Sequence, residues 1–302
     1  MLAARQEGCT GGPAWGGFPL NWRSRATVAD NLNARTMRQA KNDSPPSLGE
    51  RMLLALSRSP DGPDYPTTTA QYTLGNALEF VKKTIPNFVD AVRDKTVLDF
   101  GCGPGWQAVA MYKECRARRV VGVDIKDTWL NAAKSLAEAE GCSGEVTFGR
   151  EVPAELHGRF DVAFSIGSFE HFSDPAASLE QMRNAVRPGG SVVVTFAEPW
   201  LSHSGAHMSF FTKVPWVNIW FSEKTVLRVR ERFRNDGATR YEEVESGLNR
   251  MTLAKFERII AGSGMSVKYL KCHATKGLPL VDKLPLLREL LVGAVTCTLR
   301  RD

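Results

Sequence analysis

VLDFGCGPGW, residues 97–106, is the stretch that decides the fold. Its opening residues form an apolar run that contains one acid, Asp99, and the run then breaks into glycine at Gly101, Gly103 and Gly105. An apolar run that stops abruptly at glycine is typical of a buried strand entering a tight loop. Glycine is needed where the backbone adopts a positive φ or approaches a ligand closely. The stretch therefore predicts a strand followed by a ligand-binding loop.

Two classes of cofactor are bound by such loops, dinucleotides and S-adenosylmethionine, and the residues separate them. A dinucleotide loop reads G-x-G-x-x-G, and its third glycine lets helix and strand pack closely, but Trp106 occupies that position here. Asp99 would repel a pyrophosphate and attract an ammonium group. No G-K-[ST] sequence follows, which excludes a Walker loop. The loop favours S-adenosylmethionine, which carries an α-ammonium and a sulfonium and no phosphate.

A second acid supports an adenosine ligand. Asp124 ends the next apolar strand, RVVGVD, 23 residues beyond Gly101. An acid at this point can accept hydrogen bonds from both ribose hydroxyls, in NAD and in S-adenosylmethionine alike. Alone, Asp124 would equally suit a helix cap or a loop acid. Together with the glycine loop it predicts a ribose contact.

The composition indicates a globular protein without a metal or disulfide framework. The chain has 302 residues, 43% of them hydrophobic and 24% charged, with a net charge of +6. No apolar run is long enough for a transmembrane segment, and the first residues do not form a secretory signal. The six cysteines include no CxxC pair, which suits a reducing cytoplasmic compartment.

The chain falls into two parts, and the second part contains an insertion. Residues 1–66 are rich in glycine and proline and predict a flexible or partly helical extension, with a short helix at 48–56. Residues 67–302 predict one domain, which begins with a helical pattern at 69–85 and continues as alternating strands and helices. That alternation predicts an α/β fold with a parallel sheet covered on both faces. An aromatic-rich insertion at 198–250 interrupts it and predicts a lid over the substrate.

Four motifs in order and spacing resemble those of the class I S-adenosylmethionine-dependent methyltransferases, in particular methyltransferases of type 11. They are VLDFGCGPG, VVGVD, FDVAFSIGSFEHF and RPGGSVVV, and they cover about residues 96–197. The resemblance implies a Rossmann-like sheet of seven mostly parallel strands with an antiparallel last strand and helices on both faces. VKYLKCHATK and AVTCTLRR can supply the final two strands.

The same resemblance implies S-adenosylmethionine as the cofactor and a set of residues around it. Asp99, Gly101 and Gly103 would hold the methionine part, and Asp124 the ribose. Many relatives have GDA after the third strand, whereas this chain has GREV, so Glu151 is the nearest acid to the adenine. The full set of implied cofactor-binding residues is Asp99, Gly101, Cys102, Gly103, Gly105, Asp124, Ile125, Glu151, Ser165 and Ile166.

SIGSFEHF, residues 165–172, also resembles the matching stretch of the cyclopropane fatty-acid synthase branch. By that resemblance Glu170 would face the transferring methyl group and His171 would lie close by. The alternative is that Glu170 caps the following helix and His171 merely packs there. Both remain open at this point.

His203 and His207 follow the fifth strand, in LSHSGAHMSFF. Parallel sheets bind ligands at the carboxyl ends of their strands, so this segment leaves from the reactive edge. A histidine there could take a proton from the acceptor as the methyl arrives. The alternative is two loop histidines without a role. The i, i+4 spacing also suits a metal, but no third ligand is apparent, and we expect no metal.

The rest of the insertion allows two interpretations of its aromatic and basic residues. FFTKVPWVNIWF predicts either a buried helix of the lid or an apolar wall for a lipid or aromatic substrate, with a peripheral membrane contact as a further option. The arginines of KTVLRVRERFR could meet a phosphate or form a solvated basic helix; they are Arg228, Arg230, Arg232 and Arg234.

We therefore expect a cytoplasmic methyltransferase that acts on a small-molecule acceptor, with a lipid or an aromatic compound as candidates. One alternative is an RNA or other nucleic-acid methyltransferase, although the sequence shows no appended RNA module. The other is a non-catalytic S-adenosylmethionine-binding scaffold, against which the intact glycine loop argues. The oligomeric state is not predicted.

Overall fold

The computed structural model describes residues 45–58, 73–234, 236–275 and 285–302. Most of the predicted extension at 1–66 therefore lies outside the described residues, as does the start of the predicted helical pattern at 69–72. The short helix expected at 48–56 is present as α1 (Leu48–Ala55). Ser47 caps it, because its side chain accepts a hydrogen bond from the backbone of Glu50 at 3.3 Å.

The centre of the protein is a seven-stranded sheet with the strand order β3-β2-β1-β4-β5-β7-β6. Its strands are β1 (Thr96–Phe100), β2 (Arg119–Val123), β3 (Val146–Gly149), β4 (Phe160–Ile166), β5 (Val186–Ala197), β6 (Ser266–Ala274) and β7 (Val292–Arg300). The first five pair in parallel, and β7 runs antiparallel between β5 and β6. The predicted Rossmann-like fold is confirmed, including the pairing of its last two strands.

Helices cover both faces of the sheet. Those of the domain are α2 (Glu79–Thr84), α3 (Phe88–Val92), α4 (Trp106–Cys115), α5 (Asp127–Ala139), α6 (Pro175–Ala185), α9 (Leu253–Gly262) and α10 (Pro285–Leu291). Neighbouring residues of β1 face opposite layers, since Val97 packs with the α4 side and Leu98 with the α6 and α9 side. Alternate residues of the central strands are thus buried on both faces, which explains their nearly continuous apolar sequence.

Two local predictions need correction. The helical pattern at 69–85 is not one helix, since its described part forms a 3₁₀ turn, Leu74–Asn76, and the short helix α2, which ends at Thr84. The next helix, α3, begins after Asn87, which takes a left-handed φ of 53°. The stretch DTWLNAAKSLAEAEG predicts Asp127 as the N-cap of α5, but Asp127 is the first residue of this helix, after Lys126. Asp124 supplies the carboxylate at this helix start, since its Oδ1 accepts the Lys126 N–H at 2.9 Å. At α6 the stretch SDPAASLEQ predicts Asp174 as the N-cap, and this is confirmed, because Asp174 Oδ1 accepts the Ala177 N–H at 3.0 Å.

The insertion at 198–250 forms its own small core, together with α1. It contains α7 (Val217–Trp220) and α8 (Glu223–Arg230), and its buried centre includes Leu53, Phe211 and Tyr241. Part of the aromatic stretch is therefore core, as one of its two interpretations requires. Trp220 is different, because 71% of it is exposed. No helix in the described ranges is long and apolar enough to cross a membrane.

Candidate active site

The glycine loop turns sharply at the carboxyl end of β1. The N–H groups of Gly101 and Cys102 both donate to the carbonyl of Val123, at 2.8 and 3.0 Å, which fixes the loop to the end of β2. Gly105 has a φ of 83°, and a Cβ there would lie 2.8 Å from the Cβ of Ala133 and 2.9 Å from the ring of Phe148. This position therefore accepts only glycine, so that α4 and α5 can approach each other.

Asp99 and Asp124 lie on either side of this loop. Asp99 is buried, and its Oδ2 has no hydrogen-bond partner in the described structure. Burial, with the nearby charge of Asp124, raises the pKa of Asp99 to about 7. Asp124 Oδ2 accepts the N–H of Gly103 at 3.0 Å, so this acid also holds the loop in shape. The two strand-end acids predicted from the sequence are thus brought together.

The remaining predicted cofactor residues differ in their surroundings. Ser165 is fully buried at the end of β4, and its Oγ lacks a hydrogen-bond partner among the described residues. Ile166 follows it and is partly buried, and Cys102 is buried in the loop. Ile125 directly follows Asp124 and is 78% exposed, which leaves an apolar side chain beside the ribose acid.

Glu151 is exposed, and the adjoining Arg150 occupies the space between the strand ends. The guanidinium of Arg150 donates to the carbonyl of Ile125 at 2.8 Å and lies 3.5 Å from the carboxylate of Asp127. Arg150, which stands in place of the acid of the GDA pattern, therefore contacts the residues that follow β2.

A second group of polar residues lies at the carboxyl ends of β4 and β5. Glu170 is buried in the 3₁₀ turn Phe169–His171, and its Oε1 accepts the N–H of Ala197 at 3.4 Å. His171 Nδ1 lies 2.7 Å from the carbonyl of Gly247. The ring of His207 stands against that of His171, with centroids 5.4 Å apart. The structure thus brings these three predicted residues together in one cluster.

Glu198 also belongs to this cluster, although the sequence analysis passed over it. Its Oε2 lies 3.7 Å from Nε2 of His207, and both residues have left-handed backbones, with φ of 52° and 54°. Such conformations are strained in residues other than glycine and concentrate at functional sites. An acid at the end of an apolar strand is the same signal that identified Asp99 and Asp124, and it would have found Glu198.

Burial sets the charges of this cluster. Burial, with the neighbouring His171, lowers the pKa of His207 to about 4, so its ring is neutral at pH 7. Burial raises the pKa of Glu198, and the hydroxyl of Ser204 and the nearby His203 and His171 partly offset this. The cluster thus combines a neutral imidazole with a carboxylate that takes up protons more readily than usual.

His203 lies apart from the paired rings and lines a cleft of about 210 Å³ in the insertion. Its Nδ1 is buried without a hydrogen-bond partner among the described residues. The cleft and the cluster are adjacent, because Ser204 lines the cleft and also hydrogen-bonds to Glu198. The cleft is lined by His203, Ser204, Met208, Ser209, Thr212, Lys213, Val214, Pro215 and Val217.

Asn249 is another residue that the sequence analysis missed. Its Nδ2 donates to the carbonyls of Phe169 and Phe172, both at 2.8 Å, and its N–H donates to the carbonyl of Glu170 at 3.0 Å. These bonds clamp the turn that carries Glu170 and His171. No sequence signal marks this residue, because its role depends on the chain returning from the insertion.

Residues 97–190 match the family model described as a methyltransferase domain. The chain carries a class I S-adenosylmethionine-dependent methyltransferase domain. S-adenosylmethionine is the cofactor of this family. The glycine loop and Asp99, which favour S-adenosylmethionine over a dinucleotide, both lie within the matched range.

Relatives of this methyltransferase domain act on different acceptors, as their names state. A tRNA U34 carboxymethyltransferase of Cellvibrio japonicus (strain Ueda107) is 34% identical over 108 residues, which cover 34% of this chain and 33% of the relative. A ubiquinone biosynthesis O-methyltransferase of Pseudomonas paraeruginosa (strain DSM 24068 / PA7) is 34% identical over 117 residues, covering 36% of this chain and 48% of the relative. The chain thus spans a third to a half of the length of these two relatives.

A solved structure shows the same fold over most of the methyltransferase chain. The structure of geranyl diphosphate methyltransferase in complex with its cofactor has a TM-score of 0.50 and 15% identity, and covers 87% of this chain and 95% of that one.

The residues around the loop suit S-adenosylmethionine. Two buried polar atoms without partners, Asp99 Oδ2 and Ser165 Oγ, lie on the adjacent strands β1 and β4 at the site edge. A buried carboxylate oxygen without a donor costs free energy until a donor reaches it, and an ammonium group is such a donor. These two atoms would suit the polar groups of the cofactor.

The arginines of the insertion are largely engaged within the protein itself. Arg230 is buried and makes two hydrogen bonds of 2.5 Å to the carboxylate of Asp236. Arg228 lies 3.3 Å from Glu50, and Arg234 lies 3.4 Å from Glu245. Of the two interpretations, the solvated basic helix is wrong for Arg230. Within the described ranges, no group of three or more His, Cys, Asp or Glu residues is placed to hold a metal ion.

Proposed function

We propose that this protein transfers a methyl group from S-adenosylmethionine to a small-molecule acceptor that binds in the cleft of the insertion. The observation that carries the proposal is the cluster of His171, His207 and Glu198, which adjoins that cleft through Ser204. The turn that carries His171 also contacts the glycine loop, because the hydroxyl of Ser168 donates to the carbonyl of Gly101 at 2.8 Å. S-adenosylmethionine supplies an electrophilic methyl group on a sulfonium. Asp99, Asp124 and Ser165 would hold it.

The histidines are arranged to accept a proton from the acceptor. His171 Nδ1 lies against the carbonyl of Gly247, and His207 Nε2 against the carbonyl and carboxylate of Glu198. A carbonyl accepts hydrogen bonds, so we assign the ring proton to these two nitrogens. The other nitrogen of each ring then carries a lone pair. His207, neutral at pH 7, can take a proton from a hydroxyl or amine, and Glu198 would stabilise the imidazolium that forms.

The surroundings of the cleft favour a small acceptor over RNA. Its volume of about 210 Å³ is below that of a typical drug-sized pocket, and hydroxyl groups and one lysine share its lining with apolar side chains. Three arginines of the insertion are already paired with carboxylates. A second run of basic residues, RARR at 116–119, leads into the start of β2, whereas the site lies at the carboxyl ends of the strands. The tRNA-modifying relatives make RNA the competing acceptor.

Methyl-labelled S-adenosylmethionine, supplied to the purified protein with separated small-molecule and RNA fractions of a cell extract, tests the proposal. We expect label in a small molecule. His207→Gln should lower turnover by about 10²–10⁴ and leave cofactor affinity unchanged, since removing an acid–base group costs that much. His157→Gln is the matched control, because His157 is exposed and distant in the chain from the cluster.

Label in RNA, lost at raised salt, would overturn the proposal in favour of the nucleic-acid alternative. Binding of the cofactor without labelling of any fraction would instead support a non-catalytic scaffold. Equal turnover of His207→Gln and His157→Gln would show that His207 takes no part in the reaction.

A further inference from the structure

Exposed apolar side chains concentrate in α1 with the residue that follows it, and in the insertion. Five of the ten exposed large hydrophobic residues in the described ranges lie at 48–56 or at 219–220. Single exposed apolar residues are ordinary, whereas a group of this size points to a contact surface. We call this group the apolar face; its residues and exposed fractions are Leu48 (72%), Met52 (52%), Leu56 (58%), Ile219 (49%) and Trp220 (71%).

The helix α1 is fixed to the insertion close to α7. Gly49 packs against Thr225 and Phe221, the residue that directly follows Trp220. At the other end of α1, Ser57 forms an antiparallel bridge with Thr212. Leu48, Met52 and Leu56 are spaced by four residues, so they lie in one row on the side of α1 that faces solvent.

Exposed cations lie in the same segments as the apolar face, and two acids of these segments are engaged with arginines. Arg51 is exposed beside Met52, Lys213 follows the Ser57–Thr212 bridge, and Lys224 lies on α8 next to Thr225; all three are exposed. In contrast, Glu50 is buried against Arg228, at 3.3 Å. Glu223 hydrogen-bonds to Arg250 at 3.0 Å.

We propose that the apolar face rests on the surface of an anionic phospholipid bilayer. The apolar side chains would enter the boundary between headgroups and acyl chains, and Arg51, Lys213 and Lys224 would meet the lipid phosphates. Trp220 suits this zone because its ring has an apolar body and a polar N–H.

Charge argues against the two other candidate occupants. A second copy in a two-fold dimer would bring Arg51 and Lys224 against a similar set of cations. Residues 1–44 of this chain contain six Lys and Arg against three Asp and Glu, so this segment also carries the wrong sign. An anionic surface is the partner whose charge complements the face. The inference does not depend on the proposed reaction.

Co-sedimentation of the full chain with vesicles tests it, using phosphatidylcholine alone and phosphatidylcholine mixed with phosphatidylglycerol. We expect binding to the mixed vesicles that weakens at high salt. The double variant Ile219→Ser/Trp220→Ser should lose about tenfold or more in affinity, since two apolar side chains no longer leave water. Arg51→Gln/Lys224→Gln should lose about tenfold or more on mixed vesicles only.

Val267→Ser is the matched control, because Val267 is 47% exposed but lies on the edge strand β6. If Ile219→Ser/Trp220→Ser fails to fold, as judged by its thermal melt, Leu48→Ser/Met52→Ser tests the same face from α1. Absence of binding to mixed vesicles, or equal loss in Val267→Ser, would overturn the inference. So would a dimer of the wild type that the double variant converts to monomer, since the face would then be a self-association surface.

Discussion

The imidazole rings of His171 and His207 stand edge to face, with their centroids 5.4 Å apart and their planes at 82°. His171 is fixed by the carbonyl of Gly247, at the end of the insertion, and His207 by Glu198, at its start. The pair thus forms where the insertion leaves the sheet and where it returns. We infer that the folding of the insertion brings the two histidines together and so determines whether a histidine can take a proton from the acceptor.

The buried carboxyl of Asp99 should make folding stability fall as pH rises. Its pKa is about 7 in the folded protein against an ordinary value of 3.8, so between these values the folded state keeps a proton that the unfolded state releases. Stability therefore decreases from pH 4 to 7, by at most about 4 kcal/mol. Asp99→Asn should lack this decrease in urea denaturation at a series of pH values. An identical slope in wild type and variant would contradict the buried, proton-retaining state of Asp99.

His207 should have the opposite effect. Its pKa of about 4 lies below the ordinary value of 6.5, so as pH falls through this window the unfolded state takes up a proton that the folded state refuses. Stability is lost from pH 6.5 down to 4, by at most about 3 kcal/mol and less because 24% of the side chain is exposed.

In the wild type the effects of Asp99 and His207 on folding stability partly cancel below pH 6.5. Variants that remove one of the two groups should show the effect of the other. His207→Gln should become more stable as pH falls from 7 to 4, and Asp99→Asn less stable. The same urea series measures both. Variants that shift in the same direction would show that at least one of the two groups is not buried as described.

Two glycines of the loop should respond differently to alanine. At Gly105 a Cβ would meet Ala133 at 2.8 Å in addition to the left-handed φ, whereas at Gly103 the nearest contact is Trp129 at 3.8 Å. We expect Gly105→Ala to cost about 2–5 kcal/mol, from backbone strain plus overpacking, and Gly103→Ala only about 1–2 kcal/mol. Thermal denaturation with calorimetry measures the difference. Equal losses would mean that α4 and α5 do not pack closely at Gly105.

Arg230 and Arg232 offer a further matched pair. Arg230 is buried on Asp236, and its loss would leave that carboxylate without its partner. We expect Arg230→Gln to destabilise the protein by about 3–5 kcal/mol. Arg232 is exposed, and Arg232→Gln should change stability by no more than about 0.5 kcal/mol. A stable but inactive Arg230→Gln variant would instead assign this arginine to substrate phosphate.

The sequence predicted the sheet and the cofactor loop because both are encoded locally. The run before Gly101, the acid at Asp124 and the cap at Asp174 each carry their signal within a few residues. Glu198 carries the same signal, an acid at the end of an apolar strand, although its pairing with His207 depends on the insertion. Asn249 gave no such signal, since its contacts depend on the insertion folding back, as in the bond from the Trp200 N–H to the carbonyl of Met251 at 2.7 Å. Neither of the two interpretations of Arg230 included an internal ion pair, because its partner, Asp236, lies beyond the end of α8.

Cofactor binding is the central claim, and titration calorimetry with S-adenosylhomocysteine and with NAD tests it most directly. We expect S-adenosylhomocysteine to bind and NAD to give no heat. Asp124→Ala should weaken binding by about 1–3 kcal/mol, the cost of leaving polar groups without partners, whereas Asp90→Ala, at an exposed position on α3, should bind as the wild type does. Binding of NAD without any response to S-adenosylhomocysteine would contradict the account.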